Sequence, residues 1–128
     1  MTHTAEHKAL RAMELYRGDF LPGFYSLLLV DEQFLLLSLM RELLLWMADL
    51  SMDRVEYREA VRYASRLLAM DPCSEHACRL IMRGLAACGD RAGAIRQYMR
   101  LRTSLSSEFN AQPSAETKAL YQTLVQAG

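Results

Sequence analysis

Apolar residues recur along most of this chain at the three- and four-residue spacing of an α-helix. No segment shows the strict alternation of apolar and polar residues that is typical of a half-buried strand. The sequence has only six glycines and three prolines, so few positions interrupt the periodic segments. The pattern therefore predicts a fold that is nearly all helix.

Capping residues and turn formers set the bounds of six predicted helices. Serine, threonine and aspartate are favoured N-caps because their side chains accept hydrogen bonds from the free N–H groups of the first turn. Glycine and proline mark helix ends. With their caps and end residues, the predicted helices cover 4–18, 31–51, 53–70, 74–88, 91–107 and 114–126. In the loop 108–113 we expect Asn110 to adopt a left-handed backbone conformation.

The predicted helix over 31–51 is apolar around nearly its whole circumference. Such a helix must be covered on all sides. It is therefore either the central helix of the domain or partly a contact face for a neighbouring domain or a second copy. Charged residues at 31, 32, 41 and 42 leave it short of the uninterrupted apolar run that crosses a membrane. The candidate apolar interface consists of Leu36, Leu37, Met40, Leu44 and Met47.

An internal repeat relates the segments around Ala60 and Ala94, which are 34 residues apart (94 − 60). That offset is the period of the tetratricopeptide helical hairpin, in which small residues lie where two helices approach most closely. Asp71-Pro72 follows Ala60 by about three turns, where that repeat usually has its proline. We therefore predict an all-α, tetratricopeptide-like right-handed stack of helical hairpins with about six helices. It would form a single domain over 1–128, with the first and last helices covering its ends.

Residues 15–23, LYRGDFLPG, resemble a hallmark of the bacterial transcriptional activator domain of the antibiotic regulatory protein family. Further agreements extend over most of the chain. They are Asp71, Pro72, Glu75, Ala77, Leu85, Gly89, Asp90, Arg91, Ala94, Tyr98, Leu101, Glu108, Pro113, Ser114, Glu116, Thr117 and Leu120. The chain departs from the family at Phe34, near which the family has a tryptophan, and at Asn110, where glycine is common. The resemblance implies a fragment of a larger regulator, in which this domain follows a winged-helix DNA-binding domain.

Charge and cysteine content indicate which binding partners and which cellular compartment fit this domain. Fifteen basic side chains balance fifteen acidic ones, so no net field attracts the chain to nucleic acid or to an anionic membrane. We therefore expect contact with DNA only through the missing winged-helix domain. Three cysteines without a CxxC pair fit the reduced thiols of a cytoplasmic protein. The polar N-terminus lacks the features of a signal peptide.

Two groups of basic residues are candidate binding surfaces. Arginines recur four residues apart on the helices that contain Ala60 and Ala94. We call this set the arginine ridge: Arg58, Arg62, Arg66, Arg96 and Arg100. It could receive phosphates or an acidic partner face, or it could be an ordinary solvated face. His76, Arg79 and Arg83 have helical spacing on the inner helix of the second hairpin, where such repeats hold peptides. These three residues are the candidate partner groove.

The sequence offers no support for catalysis or for a cofactor. No motif orders a nucleophile, a base and an oxyanion site, and no glycine-rich phosphate loop is present. Cys73, His76 and Cys78 lack a fourth zinc ligand at suitable spacing. We therefore expect a non-enzymatic regulatory domain that couples a separate DNA-binding domain to dimerisation, to an effector or to the transcription machinery. The alternative is a general peptide-binding scaffold or ligand sensor unrelated to transcription.

Overall fold

The computed structural model describes Lys8 and residues 26–127, and it describes side-chain burial beyond Lys8 from residue 31 onward. In this part of the chain the secondary structure consists of five α-helices and no strand, which confirms the all-α prediction. The helices are α1 (Ser26–Asp53), α2 (Tyr57–Met70), α3 (Glu75–Ala87), α4 (Arg91–Phe109) and α5 (Ala115–Gln126). The helix predicted over 4–18 and the motif at 15–23 lie outside the described residues, apart from Lys8, which is helical.

The chain divides into two compact units, Met1–Leu43 and Leu44–Gly128, with the boundary inside α1. In the second unit each of the helices from α2 to α5 packs against the next one along the chain, and α3 also contacts α5. Contacts between consecutive helices joined by short turns, with a further contact to the next helix but one, are those of stacked helical hairpins. The second unit thus has the tetratricopeptide-like arrangement that the 34-residue period predicts.

Helix α3 is central to the second unit because it contributes to both of its hydrophobic clusters. One face packs with α1 and α2 in a first cluster of Leu44, Ala48, Ala64, Leu67, Ala77, Leu80 and Ile81. The other face packs with α4 and α5 in a second cluster of Cys78, Met82, Ala94, Tyr98, Leu101, Leu105 and Leu124. Full burial of each large apolar side chain stabilises the fold by about 1.5–3 kcal/mol. The two clusters therefore hold the hairpins together through one shared helix.

Small residues allow the helices of the stack to approach closely. Ala60 and Ala94 are both fully buried, as the repeat predicts. At Gly84 on α3, an added Cβ would lie 2.5 Å from Cγ2 of Val61 and 3.3 Å from the backbone oxygen of Tyr57 on α2. An added side chain would require Val61 to change its rotamer or α2 to shift, so glycine favours this close crossing.

The same turn ends α1 and α3. Val55 and Gly89, which are 34 residues apart (89 − 55), both have positive φ, at 61° and 87°. Each turn is closed by two backbone hydrogen bonds. In the first turn, Val55 N–H donates to Met52 O (3.0 Å) and Glu56 N–H to Ser51 O (2.8 Å). In the second turn, Gly89 N–H donates to Ala86 O (3.0 Å) and Asp90 N–H to Leu85 O (2.8 Å). This is the Schellman pattern, which commonly has glycine at the left-handed position. The repeat therefore extends to the hydrogen bonding of the turns.

Three helix ends differ from the sequence-based prediction. Asp53 is the last residue of α1 rather than the cap of α2, whose N-cap is Glu56 without a side-chain capping bond. Helix α1 also begins before Asp31, because the apolar segment 27–30 continues it toward the N-terminus. Helix α4 continues to Phe109. The caps at Ser74 and Ser114 and the left-handed Asn110 (φ 49°) are confirmed.

Candidate interaction surfaces

Two of the three residues of the candidate partner groove are bonded to neighbouring helices. His76 lies with Nε2 3.0 Å from Oδ1 of Asp49 on α1. Arg79 donates from Nη1 to the Thr117 hydroxyl on α5 at 2.8 Å, and its Nε lies 3.6 Å from Oε1 of Glu116. Only 14% of the Arg79 side chain is exposed. The shared spacing therefore places His76 and Arg79 on α3 but directs them to different neighbours.

Arg83, the third groove residue, is exposed and forms no salt bridge within the described part of the chain. Of the three groove residues, only Arg83 therefore remains free of a described acidic neighbour. A single exposed arginine gives a weak basis for a peptide groove, because the energy of an exposed ion pair is small and screened by salt.

A polar network centred on Thr117 connects α3 to α5. Thr117 is fully buried, and its hydroxyl donates to Oε1 of Glu75 at 2.8 Å while accepting from Arg79. The same Glu75 oxygen accepts from the backbone N–H of Ser114 at 2.8 Å. Partial burial alone would raise the pKa of Glu75, but these hydrogen bonds stabilise the carboxylate, so its pKa lies below the ordinary value. The network joins helices whose bonded residues are about forty positions apart.

The five arginines of the ridge are all exposed, on α2 and α4. Arg62 pairs with Glu59 one turn earlier, and its guanidinium carbon lies 5.4 Å from the ring centroid of Tyr63. For Arg58, Arg66, Arg96 and Arg100, no salt bridge joins the guanidinium to a described residue. The ridge thus presents arginines to solvent on both outer helices of the repeat.

None of the five residues of the candidate apolar interface is fully exposed. Leu36 is buried, and Leu44 is part of the first hydrophobic cluster. Leu37, Met40 and Met47 are half-buried. Among residues 31–53 of α1, the most exposed large apolar side chains are instead Phe34, at 69%, and Leu35, at 58%, neither of which was part of the predicted interface.

The two cysteines near His76 are not arranged as ligands around one point. Cys78 is buried, with its Sγ 3.8 Å from Sδ of Met82, and burial raises its pKa to about 12. Cys73 points to the Glu108 carboxylate at 3.6 Å, and desolvation together with that negative charge raises its pKa. Both thiols therefore stay protonated at neutral pH, which is unsuited to nucleophilic chemistry. Across residues 26–127 no three potential metal ligands cluster.

A cleft that the sequence analysis did not anticipate lies between the C-terminal half of α4, the following loop and the start of α5. Its volume is about 680 Å³. Its lining includes Tyr98, Arg102, Ser106, Ser107, Gln112 and Lys118. These residues are separated by up to twenty positions (118 − 98), so no local sequence motif indicates that they line one cleft. The one signal in the sequence is the run of hydroxyl residues between Arg102 and the proline-containing loop.

The model of the bacterial transcriptional activator domain family matches residues 1–125 of this chain. The chain belongs to this family. Comparisons with curated proteins and with solved structures gave no significant match. None of the helices described for this bacterial transcriptional activator domain is long and apolar enough to cross a membrane.

In this bacterial transcriptional activator domain, many residues that carry the family resemblance hold the stack together. Glu75, Ser114 and Thr117 form the polar network. Asp90 caps α4 by accepting from the Gly93 N–H at 2.9 Å, and Gly89 takes the left-handed turn position. Arg91 donates to the last carbonyls of α5, reaching Val125 O at 2.9 Å. These residues therefore stabilise the packing of the helices.

Proposed function

We propose that this domain couples a separate DNA-binding domain of a bacterial transcription regulator to an acidic protein partner, which docks on the arginine ridge. Membership of the family gives the role in transcription. The exposure of all five ridge arginines supports the docking surface, since the inner residues His76 and Arg79 are bonded within the domain. The domain would act inside the cell, by contact rather than by catalysis.

The chemistry of arginine fits such a surface. A guanidinium presents several N–H donors in a planar arrangement that binds carboxylates through two parallel hydrogen bonds. Arginines four residues apart on one helix repel each other, so the spacing gives no stability of its own. The chain as a whole has no net charge, so the ridge is a local feature that a complementary acidic patch could recognise.

A second contact is proposed for α1. Its half-buried residues Leu37, Met40 and Met47, with the exposed pair Phe34 and Leu35, offer apolar area to a neighbouring domain or to a second copy. Light scattering of the chain, with Phe34→Ser/Leu35→Ser as the variant, tests this contact. A wild-type chain that stays monomeric and binds no surface dye would remove the argument for self-association.

The ridge is tested in cells that carry Arg62→Ala/Arg66→Ala in the chromosomal gene. Transcript profiles should shift toward those of a deletion strain while the protein level stays unchanged. The control, Ala119→Glu/Gln122→Glu, places the same change in net charge of minus two on exposed positions of α5. It should leave the profile as in the wild type. A wild-type profile for the ridge variant at normal protein level would contradict the proposal.

Two other functions are separated from this one by simple measurements. If the ridge bound DNA directly, the 128-residue chain would retard a DNA fragment in a gel-shift assay at modest salt, and Arg62→Glu/Arg66→Glu would abolish that retardation.

A peptide scaffold unrelated to transcription is disfavoured by the family membership and by the bonding of His76 and Arg79 to neighbouring helices.

A further inference from the structure

The cleft between α4, the loop after it and α5 has a size and lining suited to a small molecule. Its volume of about 680 Å³ falls within the range of ligand pockets, roughly 300–1,000 Å³. Arg102 and Lys118 contribute two cations, and none of the lining residues is acidic. Arg102 forms no salt bridge with any residue of the described chain. The residues that line the cleft therefore carry a net positive charge.

Tyr98 gives the cleft a buried donor without a partner. Its side chain is 5% exposed and is stacked on Tyr121, with ring centroids 4.1 Å apart and an interplanar angle of 10°. No hydrogen bond joins its hydroxyl to any residue from 26 to 127. In that same range no fully buried side-chain polar atom lacks a partner, so the hydroxyl must reach accessible surface. Tyr98 lines the cleft together with Arg102, whose charge lies close enough to act on this hydroxyl, so a ligand held by Arg102 would lie within reach of it.

Charge and hydrogen bonding around this hydroxyl favour an incoming acceptor. Burial raises the pKa of Tyr98, and Tyr121, Cys78 and the Glu75 carboxylate add to the rise that the Arg102 charge opposes, so the phenol stays protonated and able to donate. Lys118 is held by a hydrogen bond from Nζ to Oε1 of Gln112 at 2.8 Å, across the loop that borders the cleft. Ser106 and Ser107 add hydroxyl donors on the α4 side.

We propose that this cleft binds a small organic anion through a phosphate or carboxylate group. Arg102 and Lys118 supply the charge, and the Tyr98 hydroxyl donates a hydrogen bond that nothing in the described chain satisfies. The site would give the domain an effector, independently of any partner on the arginine ridge. Failure of one proposal leaves the other standing, because none of the ridge arginines lines the cleft.

The test uses the 128-residue chain labelled with ¹⁵N, titrated with inorganic phosphate and, separately, with citrate, each against chloride at equal ionic strength. Amide signals of residues 106–112 should shift and saturate. Arg102→Gln and Lys118→Gln should each weaken binding about tenfold, which corresponds to about 1.4 kcal/mol, because each removes a hydrogen bond between two charged groups. Tyr98→Phe keeps the stacked ring and should weaken binding severalfold without lowering the melting temperature.

Arg54→Gln is the matched control, because Arg54 is an exposed arginine outside both the cleft and the arginine ridge. Saturation with phosphate alone identifies a phosphate ligand, and saturation with citrate alone identifies a carboxylate. Shifts that never saturate with either anion would overturn the proposal. Equal weakening by Arg54→Gln would also overturn it, since binding would then be a general charge effect.

Discussion

Two repeat units lie within this domain: the first consists of the end of α1 with α2, and the second of α3 with α4. They share a geometry but differ in the residues that produce it. In the first unit, the end of α1 and helix α2 meet through a turn with Val55 at the left-handed position and Glu56 as the next N-cap. In the second unit, Gly89 and Asp90 occupy the same two places between α3 and α4. Only Asp90 makes a side-chain capping bond. The comparison teaches that the 34-residue period depends on buried small residues more than on turn chemistry.

The units also differ in how they attach to the helix that follows. Arg79 and Glu75 bond α3 of the second unit to α5 through Thr117. The residue one period before Arg79 is Leu45 (79 − 34), which packs on the first hydrophobic cluster. The first unit therefore joins its neighbour through apolar contacts and the single His76–Asp49 contact, whereas the second is attached through a polar network. Polar networks are sensitive to single substitutions, because each lost partner leaves a half-buried group unsatisfied.

The largest effect is expected at the shared alanines. Ala60→Leu and Ala94→Leu should each lower the free energy of unfolding by about 3 kcal/mol, because neither site has room for a larger side chain. Ala92→Leu, at an exposed position of α4, should change it by less than about 0.5 kcal/mol. Urea denaturation measures all three. A mild effect at Ala60 alone would show that the two units are not equivalent in packing.

The polar attachment of the second unit is tested by Arg79→Ala. We expect a loss of about 2 kcal/mol, since Thr117 loses its donor and Glu75 its nearby positive charge. Arg66→Ala, on the exposed ridge, should cost less than about 0.5 kcal/mol under the same conditions. If the two variants unfolded at the same urea concentration, Arg79 would be a surface residue in energetic terms and available for a ligand.

Glu75 gives this attachment a pH dependence. Its pKa is lower in the folded chain than the ordinary value, so it stabilises the fold above its unfolded pKa, and that stability is lost as pH falls through the folded pKa. Glu75→Gln should cost about 1.5 kcal/mol at pH 7. The difference from wild type should shrink on acidification to about pH 3. A difference that is constant with pH would mean that the charge of Glu75 contributes nothing.

The turn of the first unit is expected to store strain that the second unit avoids. A non-glycine residue in the left-handed region costs about 1–2 kcal/mol, and the added freedom of glycine in the unfolded chain costs about 0.5–1 kcal/mol. Val55→Gly should therefore raise stability by about 1 kcal/mol, and Gly89→Val should lower it by at least as much. Thermal denaturation of both variants measures the effect. A destabilising Val55→Gly would indicate that the valine side chain packs favourably.

Val55 also explains where prediction from sequence failed in the described fold. Gly89 indicates its turn in the sequence, because glycine readily adopts positive φ, and the predicted ends of α3 and α4 agree with the structure to within two residues. Val55 adopts the same turn without a glycine in the sequence to indicate it, so the prediction of Asp53 as the cap of α2 is wrong. The fold as a whole was predictable, because buried Ala60 and Ala94 and the caps Ser74 and Ser114 are local signals.

The surfaces were less predictable than the fold, because their roles depend on residues distant in sequence. Helical spacing placed Arg79 beside His76, but only the packing of α5 brings Thr117 to Arg79, 38 positions later. Exposure of the ridge followed from its position on the outer helices, so it could be predicted. The cleft depends on the path of the loop after α4, which side-chain periodicity does not encode.

The smallest expected effect concerns the cap of α2. Glu56 stands at the position of Asp90 but makes no side-chain capping bond, whereas Asp90 accepts from the N–H three residues later. The shorter side chain of Glu56→Asp should reach the Glu59 N–H and raise stability by about 0.5 kcal/mol, the low end of the range for caps. Asp90→Glu is the reverse substitution and should lower stability by a similar amount. When Glu56→Asp is combined with Val55→Gly, its gain should remain, because the turn and the cap satisfy different backbone groups. If Glu56→Asp gave no gain even with glycine at 55, the first turns of α2 and α4 would differ in more than their capping residue.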